Sequence, residues 1–179
     1  MLNLPNLISL ARIILVPLFI ILSIHQHFGW ALLIFAIAAV SDAVDGLFAR
    51  LLEQRTVLGS YLDPVADKLL TSSAYVTLAI LGILPGWLTV IVVSRDVIII
   101  LGIMILFLTS HPLEIRPSLA SKLTTILQFT TVVSTLASKY AFSVPFLIDF
   151  LIWGTAVVTV ISGLQYIGRG IRIFNQGTP

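Results

Sequence analysis

The sequence of 179 residues contains no cysteine and has few charged residues. Without cysteine there is no disulfide framework, no thiolate nucleophile and no soft-metal site. Only 10% of the residues are charged and 58% are hydrophobic, whereas about 25% of the residues of a typical soluble domain are charged. This composition excludes an ordinary water-soluble protein and indicates a membrane protein.

The basic residues are also too few and too scattered to form a nucleic-acid-binding surface. The net charge is +2, and the ten Lys and Arg residues form neither a basic stripe nor a charged tail. We therefore expect no nucleic-acid partner. Residues 1–6 lack the positive leader region and the cleavage site of a signal peptide, so we expect the first apolar segment to be retained.

Apolar segments separated by turn signals divide the chain into six predicted helices. The separators include His25-Gln-His27, Pro85-Gly86 and the polar, proline-rich segment His111-Pro-Leu-Glu-Ile-Arg-Pro117. Each apolar segment has about 20 residues, the length that crosses a bilayer. We predict spans at about residues 6–25, 29–51, 60–83, 86–109, 118–138 and 145–167. The fold expected is an all-α, polytopic membrane protein in which residues 1–179 form a single six-helix domain.

The distribution of Lys and Arg predicts how these helices are oriented. Lys139 is the one basic residue near the span ends on one side, and the basic residues near the span ends on the other side are Arg50, Arg55, Arg116, Lys122, Arg169 and Arg172. Because cytoplasmic loops carry an excess of positive residues, the second side and both termini are predicted to face the cytoplasm.

The acidic residues are concentrated in one stretch. Five of the eight lie between residues 42 and 67. Asp42 and Asp45 are three residues apart, and Asp63 and Asp67 are four apart, so each pair shares one face of a helix. The segment between the two predicted helices is short. We therefore expect the four carboxylates to converge on one pocket at the cytoplasmic side.

Four carboxylates in a membrane protein require compensating positive charge. Each intramembrane Asp costs about 2.5 to 3.5 kcal/mol, and the neighbouring Arg50 and Lys68 cannot face all four because consecutive helical residues point in different directions. An all-carboxylate ligand set favours a hard divalent cation, Mg²⁺ or Mn²⁺, and four carboxylates can hold two ions. Two such ions form the clamp used in phosphoryl transfer. This indicates an active site for phosphate chemistry.

Small residues accompany the four aspartates. Gly46, Ala49 and Gly59 leave bare backbone on the same helix faces, so a nucleotide or pyrophosphate can approach closely.

For Asp96 or Asp149 taken alone, helix pairing, a proton relay or an interfacial position is the favoured interpretation.

The acidic stretch also has the form of a family signature. It reads Asp42-Ala-Val-Asp-Gly-Leu-Phe-Ala-Arg50, then eight residues, then Gly59-Ser-Tyr-Leu-Asp-Pro-Val-Ala-Asp67. This matches D-x-x-D-G-x-x-A-R-x8-G-x-x-x-D-x-x-x-D at every fixed position. The chain thus resembles the CDP-alcohol phosphatidyltransferase family over essentially its whole length.

The resemblance implies an integral-membrane enzyme, homodimeric and with six transmembrane helices, that displaces CMP from a CDP-linked lipid by direct attack of an acceptor hydroxyl. It implies that Asp42, Asp45 and Asp63 ligate the metal pair, and that Asp67 lies near the metals and is the general base. The residues expected to line the cytidine-diphosphate site are Gly46, Ala49, Arg50 and Gly59.

Three basic residues are candidates for binding the acceptor. Arg95 lies well inside the fourth predicted span, where we expect it to face the pocket and bind a phosphate. Arg116 and Lys122 lie at the cytoplasmic mouth of the fifth span, although an arginine at a helix end is usually a snorkelling residue.

Two subfamilies compete for the acceptor assignment. Phosphatidylglycerophosphate synthases resemble this chain in residues 3–12 and 62–68. Cardiolipin synthases of the same fold resemble it in Leu84-Pro85, in Ser94-Arg-Asp-Val97 and in residues 117–128, although their loop before the fifth span is often longer and more basic. With CDP-diacylglycerol as donor, we favour phosphatidylglycerol as acceptor, and glycerol-3-phosphate is the alternative.

Other classes of function remain open at this point. A divalent-cation transporter would place carboxylates near the midplane of the membrane, often in paired repeats, but the chain has no repeat and no second acidic cluster. Hydrolysis of the CDP-lipid is distinguished by CMP release without an acceptor.

Elsewhere, Asn6, Ser9 and Arg12 either border the nucleotide site or join helices, and Ser162 and Gly163 are expected to allow close helix packing.

Overall fold

The computed structural model describes the backbone of residues 4–51, 57–108, 119–141 and 144–176, and the side chains of residues 11–41, 68–102, 104, 119–141 and 144–171. These described residues form six α-helices and contain no strand. The helices are α1 (Leu4–Ile24), α2 (Phe28–Leu51), α3 (Val57–Ile80), α4 (Gly86–Leu108), α5 (Leu119–Tyr140) and α6 (Pro145–Gln176).

The predicted all-α fold is confirmed, and the predicted helix ends agree with the structure within three residues at all positions but one. The exception is the end of α6, which was predicted near residue 167 but continues to Gln176. That prediction was wrong because a glycine inside a helix costs only about 0.5 to 1 kcal/mol, and Gly168 and Gly170 are not followed by a proline that would stop the helix.

Two helix ends show why the turn signals worked. Gly82 has a φ of 68°, and the amide of Ile83 donates a hydrogen bond to the carbonyl of Leu78 at 2.9 Å. This is the hydrogen-bond pattern of a left-handed glycine cap. Gln26 takes the same role after α1, with a φ of 60°, and the amide of His27 donates to the carbonyl of Leu22.

The chain divides into two compact units. The first contains Met1–Leu84 and Val132–Val144, so it holds α1, α2, α3 and the end of α5. Within it α1 packs against α2 and α3. The rings of Phe19 and Phe35 lie 5.7 Å apart in a core that includes Leu70 and Tyr75, both fully buried.

The second unit contains Pro85–Thr131 and Pro145–Pro179, so it holds α4, most of α5 and α6. Helix α4 packs against α6, with Leu88 and Val92 fully buried. The aromatic rings of Trp87 and Trp153 lie 5.2 Å apart. The prediction that the whole chain is a single domain stays a prediction.

Helix α6 is inverted relative to an amphipathic helix of a water-soluble protein. Its exposed stripe is apolar and includes Phe150, Trp153 and Val157, which are between 54% and 67% exposed, whereas Thr155 and Thr159 are fully buried. In water the apolar stripe would face inwards. An apolar outer face with hydroxyls inside is the arrangement that suits lipid.

Among the described residues, one helix is long and apolar enough to cross a membrane, namely Pro145–Ile171. Two shorter apolar stretches, Ala11–Ile24 and Phe28–Ser41, also fall within described residues. The six helices are therefore confirmed as helices, whereas the prediction that all six cross a membrane stays a prediction.

Candidate functional site

The signature lies on two consecutive helices of the first unit. Asp42 and Asp45 fall in the second half of α2, and Asp63 and Asp67 in the first half of α3. Only residues 52–56 separate these helices. Because both backbones are helical, the spacings of three and four residues place each pair on one helix face. The side chains of residues 42–67 lie outside the described residues, so the convergence of four carboxylates stays a prediction.

The residues expected around the nucleotide fall on the same two helices. Gly46, Ala49 and Arg50 belong to α2, and Gly59 belongs to α3. Their side chains also lie outside the described part of the chain, as does the whole of Arg116. Among the side chains that the structure describes, no group of three or more histidines and carboxylates could hold a metal ion.

Arg12 is a buried cation in the first unit. It lies on α1 and is only 2% exposed, and α1 packs against the two helices that carry the four aspartates. A buried guanidinium needs anionic or hydrogen-bonding partners. From the sequence we named Arg50 and Lys68 as the neighbouring cations. The sequence signal for Arg12 was its three-residue spacing from Ser9 and Asn6 on the first helix. The side chains of Asn6 and Ser9 lie outside the described residues.

Arg95 is the centre of a hydrogen-bonded cluster in the second unit. It lies on α4 and is 4% exposed. Its Nη1 donates to Oδ1 of Asp96 at 2.7 Å. Its Nη2 donates to the hydroxyl of Ser121 on α5 at 2.8 Å and to the hydroxyl of Ser162 on α6 at 3.1 Å. The guanidinium therefore joins three helices of this unit.

The hydrogen bonds from Arg95 to Ser121 and Ser162 were missed by sequence reasoning. Ser162 was expected to serve only close packing, but its hydroxyl accepts a hydrogen bond from Arg95. Gly163 also lies beside Arg95, but a Cβ there would make only an ordinary van der Waals contact with Cγ of Arg95, at 3.6 Å. Ser162 lies 67 residues from Arg95 in the chain, so no local pattern could have joined them.

The remaining acidic and basic candidates differ in burial. Asp96 is 3% exposed and pairs with Arg95, whereas Asp149 is exposed on α6. Lys122 is exposed on α5, next to Ser121. Arg95 is buried and paired, whereas Lys122 is exposed. Solvent therefore screens the charge of Lys122 much more than the charge of Arg95.

Hydroxyls join α5 to α6 beyond the arginine cluster. The side-chain oxygens of Thr131 and Thr155 lie 2.8 Å apart, both fully buried. The hydroxyl of Thr124 contacts the carbonyl of Ala120 at 2.8 Å and that of Val158 at 3.3 Å. These neutral contacts fix two helices of the second unit without adding charge.

The chain matches the model of a known protein family and is similar to several known proteins. A model of the CDP-alcohol phosphatidyltransferase family matches residues 2–161. The chain is similar to the CDP-diacylglycerol–glycerol-3-phosphate 3-phosphatidyltransferase of Bacillus subtilis, with 34% identity over 94% of this chain and 95% of that protein. It is also similar to the cardiolipin synthase (CMP-forming) of Homo sapiens, with 34% identity over 94% of this chain and 62% of that protein. A probable phosphatidylglycerophosphate synthase of Mycobacterium tuberculosis is 33% identical over 95% of this chain and 82% of that protein.

Proposed function

Because the chain belongs to the CDP-alcohol phosphatidyltransferase family, we propose that it transfers the phosphatidyl group of CDP-diacylglycerol to an acceptor hydroxyl and releases CMP. The observation that carries this proposal is the complete signature, with Asp42 and Asp45 on α2 and Asp63 and Asp67 on α3. The divalent-cation transporter considered from the sequence receives no support from the family match.

The four carboxylates fit a pair of hard divalent cations, Mg²⁺ or Mn²⁺. Carboxylate oxygens are the ligands that these ions prefer, and the signature contains no histidine or cysteine. Asp42, Asp45, Asp63 and Asp67 would hold them. When bound, the ions neutralise the charge that develops on the diphosphate.

Asp67 is proposed as the general base that takes the proton from the acceptor hydroxyl. The hydroxyl oxygen then forms a bond to the lipid-side phosphorus of the diphosphate. The bond from that phosphorus to the bridging oxygen breaks, and CMP leaves with the bonding electrons. One substitution at phosphorus completes the transfer, so no covalent enzyme intermediate is required.

The nucleotide half of the donor is proposed to lie against the small residues of α2 and α3. Gly46, Ala49 and Gly59 present little side chain, so the diphosphate can approach the backbone of these helices. Arg50, at the end of α2, supplies a cation for a phosphate oxygen.

For the acceptor we propose phosphatidylglycerol, recognised by Arg95 with Arg116 and Lys122. The positive charge of Arg95 is matched by Asp96 at 2.7 Å. A pair of this kind is better suited to the single negative charge of a phosphodiester than to a phosphate monoester, which carries about −1.5 to −2 at neutral pH. The resemblance of Ser94-Arg-Asp-Val97 in the fourth helix to cardiolipin synthases supports the same choice.

Glycerol-3-phosphate is the second candidate acceptor. It is favoured by the Bacillus subtilis relative, a glycerol-3-phosphate enzyme that this chain matches over 95% of its length. The human cardiolipin synthase is matched over 62% of its length.

We further propose that the enzyme is a multi-pass membrane protein with both termini and the active site on the cytoplasmic side, and that it acts as a homodimer. The inverted burial of α6 supports residence in lipid: Trp153 is 65% exposed while Thr155 and Ser162 are fully buried. The basic residues near the span ends support the orientation.

Purified enzyme tests the acceptor directly. CDP-diacylglycerol with Mg²⁺ or Mn²⁺ is incubated with phosphatidylglycerol or with glycerol-3-phosphate, and both CMP and the lipid product are measured. We expect cardiolipin from phosphatidylglycerol. Phosphatidylglycerophosphate from glycerol-3-phosphate alone would reassign the acceptor, and product from neither would reject both.

A further inference from the structure

The orientation of Arg95 is set by hydroxyls from two other helices. Its Nη2 donates to Ser121 on α5 and to Ser162 on α6, at 2.8 Å and 3.1 Å. Two contacts from different helices define the plane of the guanidinium. The stem of the side chain lies beside Gly163 of α6, where an added Cβ would be in ordinary van der Waals contact with Cγ of Arg95 at 3.6 Å.

The guanidinium keeps hydrogen-bonding capacity after these contacts are made. An arginine has five N–H donors, and the contacts to Asp96, Ser121 and Ser162 use three of them. The buried Nε of Arg95 has no hydrogen-bond partner among the described residues. A buried donor without a partner is costly, so an oxygen ligand at this position would be bound favourably.

The chemical type of the two serine contacts is also informative. A hydroxyl accepts a hydrogen bond without carrying a charge, so Ser121 and Ser162 orient the guanidinium and leave its charge in place. Asp96 is the partner that offsets the charge. If carboxylates stood in place of Ser121 and Ser162, they would also offset the charge of Arg95. The arginine would then be unable to attract an anion.

We propose that Ser121 and Ser162 are positioning residues, which hold the guanidinium of Arg95 so that its remaining N–H groups bind a phosphate oxygen of the acceptor. This inference rests on the proposed function and deepens it. Ser162 lies just beyond residues 2–161, the part matched by the family model. The chemistry recognised is a phosphate group, whether in phosphatidylglycerol or in glycerol-3-phosphate.

The test compares Ser162→Ala with Thr155→Ala in the full-length enzyme. Both residues are fully buried hydroxyls on α6, but Thr155 contacts Thr131 rather than Arg95. Because a hydrogen bond to a charged group contributes about 1.5 to 3 kcal/mol, we expect Ser162→Ala to raise the KM for the acceptor by about tenfold or more. The kcat and the KM for CDP-diacylglycerol should change by less than about twofold, and Thr155→Ala should leave all three unchanged.

Two further variants separate positioning from structure. Ser162→Thr keeps the hydroxyl, so its KM for the acceptor should equal that of the wild type. In the Arg95→Lys background the effect of Ser162→Ala should disappear, because the group that Ser162 orients is gone. If Ser162→Ala fails to fold, Ser121→Ala provides the same comparison from α5.

Binding without turnover provides an independent readout. The rise in Tm of the detergent-solubilised wild type is measured with glycerol-3-phosphate and, separately, with phosphatidylglycerol in mixed micelles. We expect the acceptor that is used to raise Tm, and we expect Ser162→Ala to require about tenfold more of it.

The outcomes distinguish this inference from the proposed function. If the wild type releases CMP with an acceptor but Ser162→Ala behaves like Thr155→Ala, the positioning role is rejected and the function stands. Equal changes in both KM values and kcat would also reject it. If the wild type binds an acceptor through the serines but transfers nothing to it, the positioning role stands and the proposed function fails.

Discussion

The two compact units differ in the kind of polar chemistry that they contain. The first unit carries four aspartates within 26 consecutive residues, 42–67, on two successive helices. In the second unit the buried polar groups that the structure describes are one arginine–aspartate pair, one glutamine and several serine and threonine hydroxyls. Concentrated charge of one sign requires counter-ions. In the second unit the charge of Arg95 is offset by Asp96.

From this contrast we propose different tasks for the two units. We propose that the carboxylates of α2 and α3 hold cations and activate a hydroxyl, and that the cluster around Arg95 recognises and orients one phosphate group. Catalytic substitutions in the first unit are therefore expected to affect the rate of transfer. Substitutions around Arg95 are expected to affect the use of one substrate.

The largest effect is expected from removal of one carboxylate of the signature. Asp42→Ala or Asp63→Ala should lower cation-dependent CMP release by about 10²- to 10³-fold or more, because several kcal/mol of charge stabilisation in the transition state is lost. CMP release from CDP-diacylglycerol in detergent micelles measures this effect.

The matched control for that loss is Asp149→Asn, which removes an exposed carboxylate of α6 and should leave CMP release unchanged. The elution volume in size-exclusion chromatography should be the same for all three variants. Near-normal activity of folded Asp42→Ala or Asp63→Ala would remove these residues from the catalytic role.

A smaller effect, on stability and insertion, is expected from a charge on the exposed face of α6. Val157 is 54% exposed near the middle of Pro145–Ile171. If this face meets lipid, Val157→Asp should cost about 2.5 to 3.5 kcal/mol. In water such a surface change would fall within about 0.5 kcal/mol. The fraction of protein recovered in the membrane measures the outcome.

Gln165→Glu adds a charge at an exposed position of the same helix that is already polar, so it controls for charge alone. We expect it to insert as the wild type does. Equal recovery of Val157→Asp and the wild type would contradict the lipid-facing assignment of α6.

The smallest effect is expected from the neutral hydroxyl pair of the second unit. Thr155→Val removes the contact to Thr131 while keeping the shape of the side chain, and should cost about 0.6 kcal/mol. Thermal unfolding of Thr155→Val, of Thr131→Val and of the double variant measures the coupling. A coupling of zero would show that the hydroxyls do not stabilise each other.

Much of the fold was predictable because most of the helices are bounded by residues with strong local preferences. Gly82 and Pro85 lie between α3 and α4, and the helix ends follow from them. The end of α6 was not predictable, since Gly168 and Gly170 weaken a helix without stopping it. A local preference of about 1 kcal/mol is easily outweighed when the rest of the segment is helical.

The candidate site divides in the same way. The signature aspartates could be found from the sequence because helical spacing relates residues three and four apart. Arg95 could also be found, since an arginine inside an apolar span is unusual. Ser121 and Ser162 could not be assigned to it, because they lie 26 and 67 residues away and only the packing of α5 and α6 brings them together.

The most direct test of the account is whether CMP release from CDP-diacylglycerol requires an acceptor. Purified wild-type enzyme is incubated with the donor and Mg²⁺ or Mn²⁺, with and without phosphatidylglycerol or glycerol-3-phosphate, and CMP is quantified. We predict that CMP forms only with an acceptor and in equal amount with a new phospholipid. CMP formed at the same rate without an acceptor would identify hydrolysis and contradict phosphatidyl transfer.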